Sequence, residues 1–219
     1  MKGNVDVSVI VPTYNSQLYL GRCIRSLLDQ TLPKENYEII IVNDGSTDNT
    51  KKALENFQEN IRYFENSKNL GLPTTLNKGI KKAKGRFIVR VDSDDWVHHE
   101  YLNILSLHLS LNNNFDAIAC DYMLVNNDQE PIRQVEWSKE PIGCGVMFKL
   151  QHLIEIGLYD ENFLAKEDED LLIRFQNSFK IIKLRLPLYK YRQHDNNMTK
   201  NSNLINKYKK KLKIKHKIK

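Results

Sequence analysis

Cysteine is scarce in this chain: only Cys23, Cys120 and Cys144 occur among 219 residues. An odd, widely spaced set supports neither a disulfide framework nor a zinc site, and it suits a reducing compartment such as the cytoplasm. No run approaches the ~18 consecutive apolar residues of a membrane span. The apolar stretch after Met1 is short and patterned as a strand, so no secretory signal is expected there. No GxGxxG follows the first strand pattern and no GxxxxGK[ST] occurs anywhere, which disfavours Rossmann dehydrogenases and P-loop enzymes. A basic face is missing as well. The formal charge is +6, but eight lysines and no carboxylate lie from Lys207 onward, and removing them turns +6 into −2. The body of the chain therefore lacks the basic, aromatic-studded surface of a nucleic-acid binder.

What is present fits one folded domain, with or without an appendage. Hydrophobic residues make up 41% of the chain and charged residues 27%, enough apolar material to fill a sizeable core. Val5 to Val11 is a β-branched run closed by Pro12, and Tyr37 to Val42 is a second such run closed by Asn43-Asp44-Gly45-Ser46. Ile61 to Glu65 and Phe87 to Val91 continue the series. Between them, helical spacing appears over residues 17–30, from about Ser46 to Phe57, and over Thr74 to Ala83; another helix is expected over His99 to Leu111. Continuous apolar strands alternating with helices predict an α/β fold with a parallel sheet covered on both faces.

The second half is less regular. Asp116 to Val125 reads as a strand, Pro131 to Glu140 as a polar loop, Val146 to Ile156 as strand then helix, and Asp168 to Asn177 as a helix. Lys180 to Leu186 and Leu188 to Arg192 read as two strands split by Pro187.

Ligands of an open parallel sheet bind at the carboxyl ends of its strands. Three polar turns fall there: Pro12-Thr13-Tyr14-Asn15, Asn43-Asp44-Gly45 and Asp92-Ser93-Asp94-Asp95. Two aspartates in DxD spacing at a strand end suit a divalent cation that also holds substrate phosphates. A second cluster, Glu167-Asp168-Glu169-Asp170, opens a helix. Carboxylates favour a helix start, but four in a row exceed what capping needs, and their repulsion raises the pKa of at least one, which suits a general base.

These segments resemble glycosyltransferase family 2. The resemblance is carried by VSVIVPTYN (Val7 to Asn15), VNDGSTDNT (Val42 to Thr50), NLGLPTTLNKGIKKAKG (Asn69 to Gly85), VRVDSDD (Val89 to Asp95), GLYDENFLAKEDEDLLIR (Gly157 to Arg174) and LYKYRQHDNNMT (Leu188 to Thr199). It implies a GT-A fold: a Rossmann-like, mostly parallel central sheet with helices on both faces. The domain would span 1–203, with a nucleotide-binding half at 1–95 and an acceptor-binding half at 96–203, followed by a basic tail at 204–219. The implied activity is inverting transfer of a sugar from a nucleotide-sugar donor, a UDP-sugar above all, to a hydroxyl of a glycan or lipid-linked acceptor.

The resemblance also implies roles. Pro12, Tyr14 and Asp44 would hold base and ribose, and Gly71 and Asn77 would line the nucleotide pocket. Arg90 would meet donor phosphate or sugar, Asp92 the ribose or donor sugar, and Ser93 would join the donor-binding set. Asp94 would bind Mg²⁺ or Mn²⁺, with His194 completing the metal or pyrophosphate site. Asp168 would be the catalytic base, supported on the acceptor side by Glu167, Asp170 and Arg174. Leu76 stands where many members carry Arg, and residues 126–141 match no part of the pattern. Trp137, in that stretch, is the candidate for stacking on a sugar. Trp96 and Cys144 read as packing residues, and His98 and His99 as helix-start residues. The lysines from Lys207 onward suggest contact with an anionic membrane surface, and hence a place at the inner face of the cytoplasmic membrane. The opposing reading is a catalytically idle nucleotide-sugar or glycan-binding module on the same fold.

Overall fold

The computed structural model describes residues 5–194 and 202–218. Strand β1 (Val7–Thr13) is buried along its whole length. It lies between β2 (Tyr37–Asn43) and β4 (Phe87–Arg90), parallel to both, and β3 (Arg62–Glu65) pairs parallel to β2. The sheet continues past β4 through β8 (Val146–Lys149), β6 (Ala117–Val125), β9 (Ile181–Arg192) and the short β5 (Trp96–Val97). β8 is antiparallel to β4 and β6, whereas β9 is parallel to β6. The expected α/β architecture is present, with an all-parallel first half and a mixed second half.

Successive residues of a strand point to opposite faces, so each buried strand feeds two cores. Val7, Val9 and Val11 pack with α1 (Leu20–Leu28) and α4 (Tyr101–Leu111) on one face. Ile10, Ile40 and Val42 pack with α3 (Leu72–Lys82), α5 (Leu150–Glu155) and α6 (Glu167–Gln176) on the other. Helix α1 buries Leu20, Cys23, Ile24 and Leu27, the i, i+3, i+4, i+7 stripe of an amphipathic helix.

Three expectations need correction. The helix read from Ser46 to Phe57 is shorter: α2 covers only Thr50–Ala53, followed by a 3₁₀ segment at Glu55–Asn60. The polar loop at 131–140 contains a strand, β7 (Pro131–Val135), antiparallel to β6; its residues are exposed except Val135, so no apolar alternation announced it. Pro187 does not split the final strand. The β6–β9 register slips around Asp121, leaving Pro187 at an irregularity where the missing N–H costs no ladder bond.

The lysine-rich segment is helical from Ser202 to His216 and forms α7. Tyr208 and Leu212, one turn apart, are buried against Phe163 and Ala165. Lys215 and His216 both reach the Oδ1 atom of the fully buried Asp170 on α6, at 2.6 and 2.8 Å. This segment is thus tied to the body by a small apolar core and by two side chains that converge on a buried carboxylate.

Candidate active site

The three polar turns meet on one rim and interlock. The Asn15 side-chain oxygen accepts from the Thr47 amide at 2.9 Å, and the Asn15 amide donates to the Ser46 hydroxyl at 2.9 Å. The Ser16 and Ser93 hydroxyls share a 2.7 Å hydrogen bond. Asp44, at the end of β2, is buried, and its carboxylate accepts from Asn66 Nδ2 (2.8 Å), the Leu70 amide (2.9 Å) and the Gly71 amide (2.9 Å). It therefore organises the loop after β3. Gly71 has φ +92°, a left-handed conformation that favours glycine.

Two cavities open on this rim. The first, about 330 Å³, is bounded by Pro12, Tyr14, Asp44, Gly71, Leu72 and Leu164 among others. Its mainly apolar wall, with one carboxylate and loop amides, suits a planar base with a few polar edges. The second, about 310 Å³, contains Arg90, Asp92, Ser93, Asp94, Glu167 and Asp168. Pro12 and Leu72 line both, so the cavities adjoin.

Arg90 organises the second cavity. Its guanidinium is buried and binds Asp92 through Nε (2.6 Å) and Nη2 (2.9 Å), while Nη1 donates to Asp168 (2.8 Å) and approaches Glu167 (3.4 Å). Burial opposes its charge, but Asp168 and Asp92 hold the guanidinium firmly protonated. Burial raises the Asp168 pKa; Arg90 pulls it down, Asp92 pushes it up, and it stays above the ordinary carboxylate value. The Gly143 amide also donates to Asp168. Burial, then the neighbouring Asp168 charge, raises Glu167 to about 7.

Asp94 Oδ2 lies 2.8 Å from His194 Nε2, and burial followed by the Asp92 charge raises the Asp94 pKa. A carboxylate and an imidazole nitrogen meeting at a cavity with a second carboxylate nearby form a donor set that fits Mg²⁺ or Mn²⁺. Asp92, Asp95 and Cys144 also place donor atoms within 4.8 Å of one another. That trio fits a cation less well. Asp95 accepts from the Tyr189 hydroxyl (2.7 Å) and the Arg192 amide (2.7 Å), and burial keeps the Cys144 thiol protonated, donating to Asp92 at 3.0 Å.

Several residues lie elsewhere than expected. The Asn77 amide group is committed to the Tyr159 backbone and to Glu161 at 2.9–3.0 Å, tying α3 to the loop before α6, and it lines neither cavity. Asp170 binds Arg174, Lys215 and His216, and Arg174 also donates to the Ile156 and Leu158 carbonyls. These two residues anchor α6 and do not face the cavity. Trp137 is buried, its indole N–H donating to the Ile142 carbonyl at 2.9 Å, so it is not a free stacking platform. Asn197 and Thr199 of the closing segment lie outside the described residues.

The sequence reading missed Gly143. A Cβ at this position would sit 2.0 Å from Asp168 Oδ1, so only glycine leaves room for the carboxylate. The glycine pair around Cys144 was its available signal. Lys166, Cys144, Tyr191 and Ile205 also line the second cavity.

Adjoining cavities at the carboxyl rim of a sheet covered on both faces are the arrangement of a nucleotide-binding α/β protein. The model of the family described as "Glycosyl transferase family 2" matches residues 8–163, and the chain belongs to that family. It is 43% identical over 102 residues to poly(ribitol-phosphate) beta-glucosyltransferase of Bacillus spizizenii, covering 45% of this chain and 16% of that protein. It is 32% identical over 211 residues to an uncharacterized glycosyltransferase of Rickettsia typhi, covering 86% of this chain and 64% of the other. Among solved structures, S. aureus TarS 1-349 in complex with UDP-GlcNAc superposes with a TM-score of 0.79 at 23% identity, over 90% of this chain and 61% of that one. Mannosyltransferase PcManGT from Pyrobaculum calidifontis, in complex with GDP-Man and Mn²⁺, gives 0.72 at 18% identity, over 87% and 58%. These structural likenesses establish the GT-A fold; the chain spans less than two thirds of the relatives' lengths.

Proposed function

We propose that the chain transfers a sugar from a nucleotide-sugar, a UDP-sugar first among them, to an acceptor hydroxyl in surface-polysaccharide or lipid-linked glycan synthesis, with inversion at the anomeric carbon. The observation that carries this reading is the joining of two cavities: one suited to a nucleoside, the other holding a half-buried carboxylate, Asp168, opposite the DxD turn. The nucleoside lies against Pro12, Tyr14, Asp44 and Gly71, and the donor sugar extends past Leu72 toward Arg90 and Asp92. Asp168, raised by burial yet held in place by Arg90 and Gly143, takes the proton of the acceptor hydroxyl. That oxygen attacks the anomeric carbon from the face opposite the nucleotide, the carbon–oxygen bond to the diphosphate breaks, and the electron pair leaves with the diphosphate. Asp94 and His194 would hold Mg²⁺ or Mn²⁺, which when bound supplies Lewis-acid stabilisation of negative charge on the leaving diphosphate.

Membrane contact is a second part of the proposal. No helix among the described residues is long and apolar enough to cross a membrane. Helix α7 instead turns Lys207 and Lys210 outward, the exposed Lys217 follows its end, and each basic residue near an anionic surface contributes ~1 kcal/mol. The enzyme would then work at the inner face of the cytoplasmic membrane. Co-sedimentation with phosphatidylglycerol vesicles tests this; equal recovery after charge reversal of the three lysines removes it.

Transfer itself is tested by nucleotide binding and turnover. UDP, GDP, CDP and TDP are titrated with and without Mn²⁺, and Asp168→Asn is then assayed with the UDP-sugar that wild type uses. The expected result is metal-dependent UDP binding retained by Asp168→Asn, with turnover lost. Binding without turnover in wild type would favour the idle module.

A further inference from the structure

A third cavity of about 300 Å³ lies in the cleft between α6 and α7, away from the nucleoside side of the rim. Ile173 and Ile218 give it accessible apolar walls, with Trp137, Leu172 and Leu212 buried behind them. Lys209 and Lys213 stand at its edge, one helical turn apart on the same side of α7. Both are exposed, and neither has an ion-pair partner among the described residues, unlike Lys215, which is engaged by Asp160 and Asp170. The one carboxylate in the cleft, Glu169, is already paired with Lys166. Pro141 and Glu169 line both this cleft and the cavity of Asp168, so the two are continuous.

An apolar trough edged by two unpaired ammonium groups, opening beside the base, matches a ligand with an apolar chain joined to phosphate. A free neutral glycan would leave both lysines unused, and a polymer of alditol phosphates would leave the apolar walls uncovered. Resting on the transferase reading above, we infer that the α6–α7 cleft binds the lipid-phosphate end of an acceptor whose sugar is carried on an isoprenoid diphosphate. The chain lies along Ile173 and Ile218, Lys209 and Lys213 receive the diphosphate, and the sugar passes Glu169 to reach Asp168. Residues 126–141 thereby contribute the exposed Pro141, seated beside the buried Trp137, to acceptor choice.

The probe is farnesyl diphosphate, short enough to stay in solution without vesicles. Its binding to the full chain is measured by calorimetry with the nucleoside site saturated by UDP and Mn²⁺, beside farnesol and inorganic pyrophosphate as half-ligands. Farnesyl diphosphate should bind at least about tenfold more tightly than either half-ligand. K209E/K213E should weaken it by about tenfold or more, and K209Q/K213Q by less, with UDP affinity unchanged in both variants. Farnesyl diphosphate affinity that survives charge reversal overturns the inference, as does inorganic pyrophosphate binding equally well. Failure of UDP to bind strikes the transferase reading instead; farnesyl diphosphate titrated alone then still reports on the cleft.

Discussion

Asp44 stands at the end of a parallel strand, and its carboxylate accepts three hydrogen bonds from a neighbouring loop. Asp168 stands on a helix in the second half of the chain, held by one guanidinium and one amide. The first half thus places polar groups through sheet register, and its carboxylate is spent on building the loop that borders the first cavity. The second half places its carboxylate through a long-range ion pair with Arg90, leaving it basic and close to open space. On the proposed function, binding and proton transfer are accordingly separable, and variants should split along that line.

The largest separation is expected from Asp168→Asn. Turnover should fall by roughly 10²–10⁴-fold, the usual worth of a general base, while UDP affinity measured by calorimetry stays near wild type. Normal turnover would place proton transfer elsewhere. Asp44→Ala should do the reverse. It strands the Leu70 amide, at a cost of about 1–3 kcal/mol if left unpaired, and leaves the Gly71 amide and Asn66 with only their longer bonds to Asn69 and Thr75. UDP affinity should drop at least ~10-fold, with kcat at saturating donor little changed. A kcat loss as large as that of Asp168→Asn would merge the two regions.

Asp94→Ala sits between them. Its UDP affinity in Mn²⁺ should equal what wild type shows in chelator, and adding chelator to the variant should change nothing further. An additional loss in chelator would mean that other residues hold the ion.

The smallest effect concerns Glu167, raised to about 7 by burial and by Asp168. A carboxyl whose folded pKa exceeds its unfolded value favours the folded state fully below the unfolded pKa, about 4.3, and loses that contribution as pH rises through about 7. Glu167→Gln should therefore raise Tm relative to wild type at pH 8 and give little gain at pH 5. A pH-independent Tm difference would show that this carboxyl titrates normally.

Much of the first half could be read directly. β1, β2 and β4 are continuous apolar runs because both faces of the sheet are covered, and the polar turns that end them converge once the strands are known to be parallel. The second half yielded less, for identifiable reasons. Four carboxylates in a row do not say which one faces the cavity. A helix turns about 100° per residue, so Asp168 and Asp170 point in nearly opposite directions, one to Arg90 and the other to Lys215 and His216. Asn77 and Trp137 occupy polar or loop-like stretches, yet their partners, Tyr159 and Ile142, come from segments with no marked pattern of their own. The lysine content of α7 masked its docking stripe, although Tyr208 and Leu212 stand at the i, i+4 spacing of a buried face.

Gly143 gives the protein a lock operated by a single methyl group. A Cβ there would lie 2.0 Å from an oxygen of Asp168, so Gly143→Ala leaves the β-strands, the nucleoside cavity and the α6–α7 cleft with their own residues while the carboxylate is driven from its seat. On the proposed function, such a chain would hold donor and acceptor side by side with no base aimed at the hydroxyl. It would turn a transient ternary complex into one that persists long enough to be crystallised.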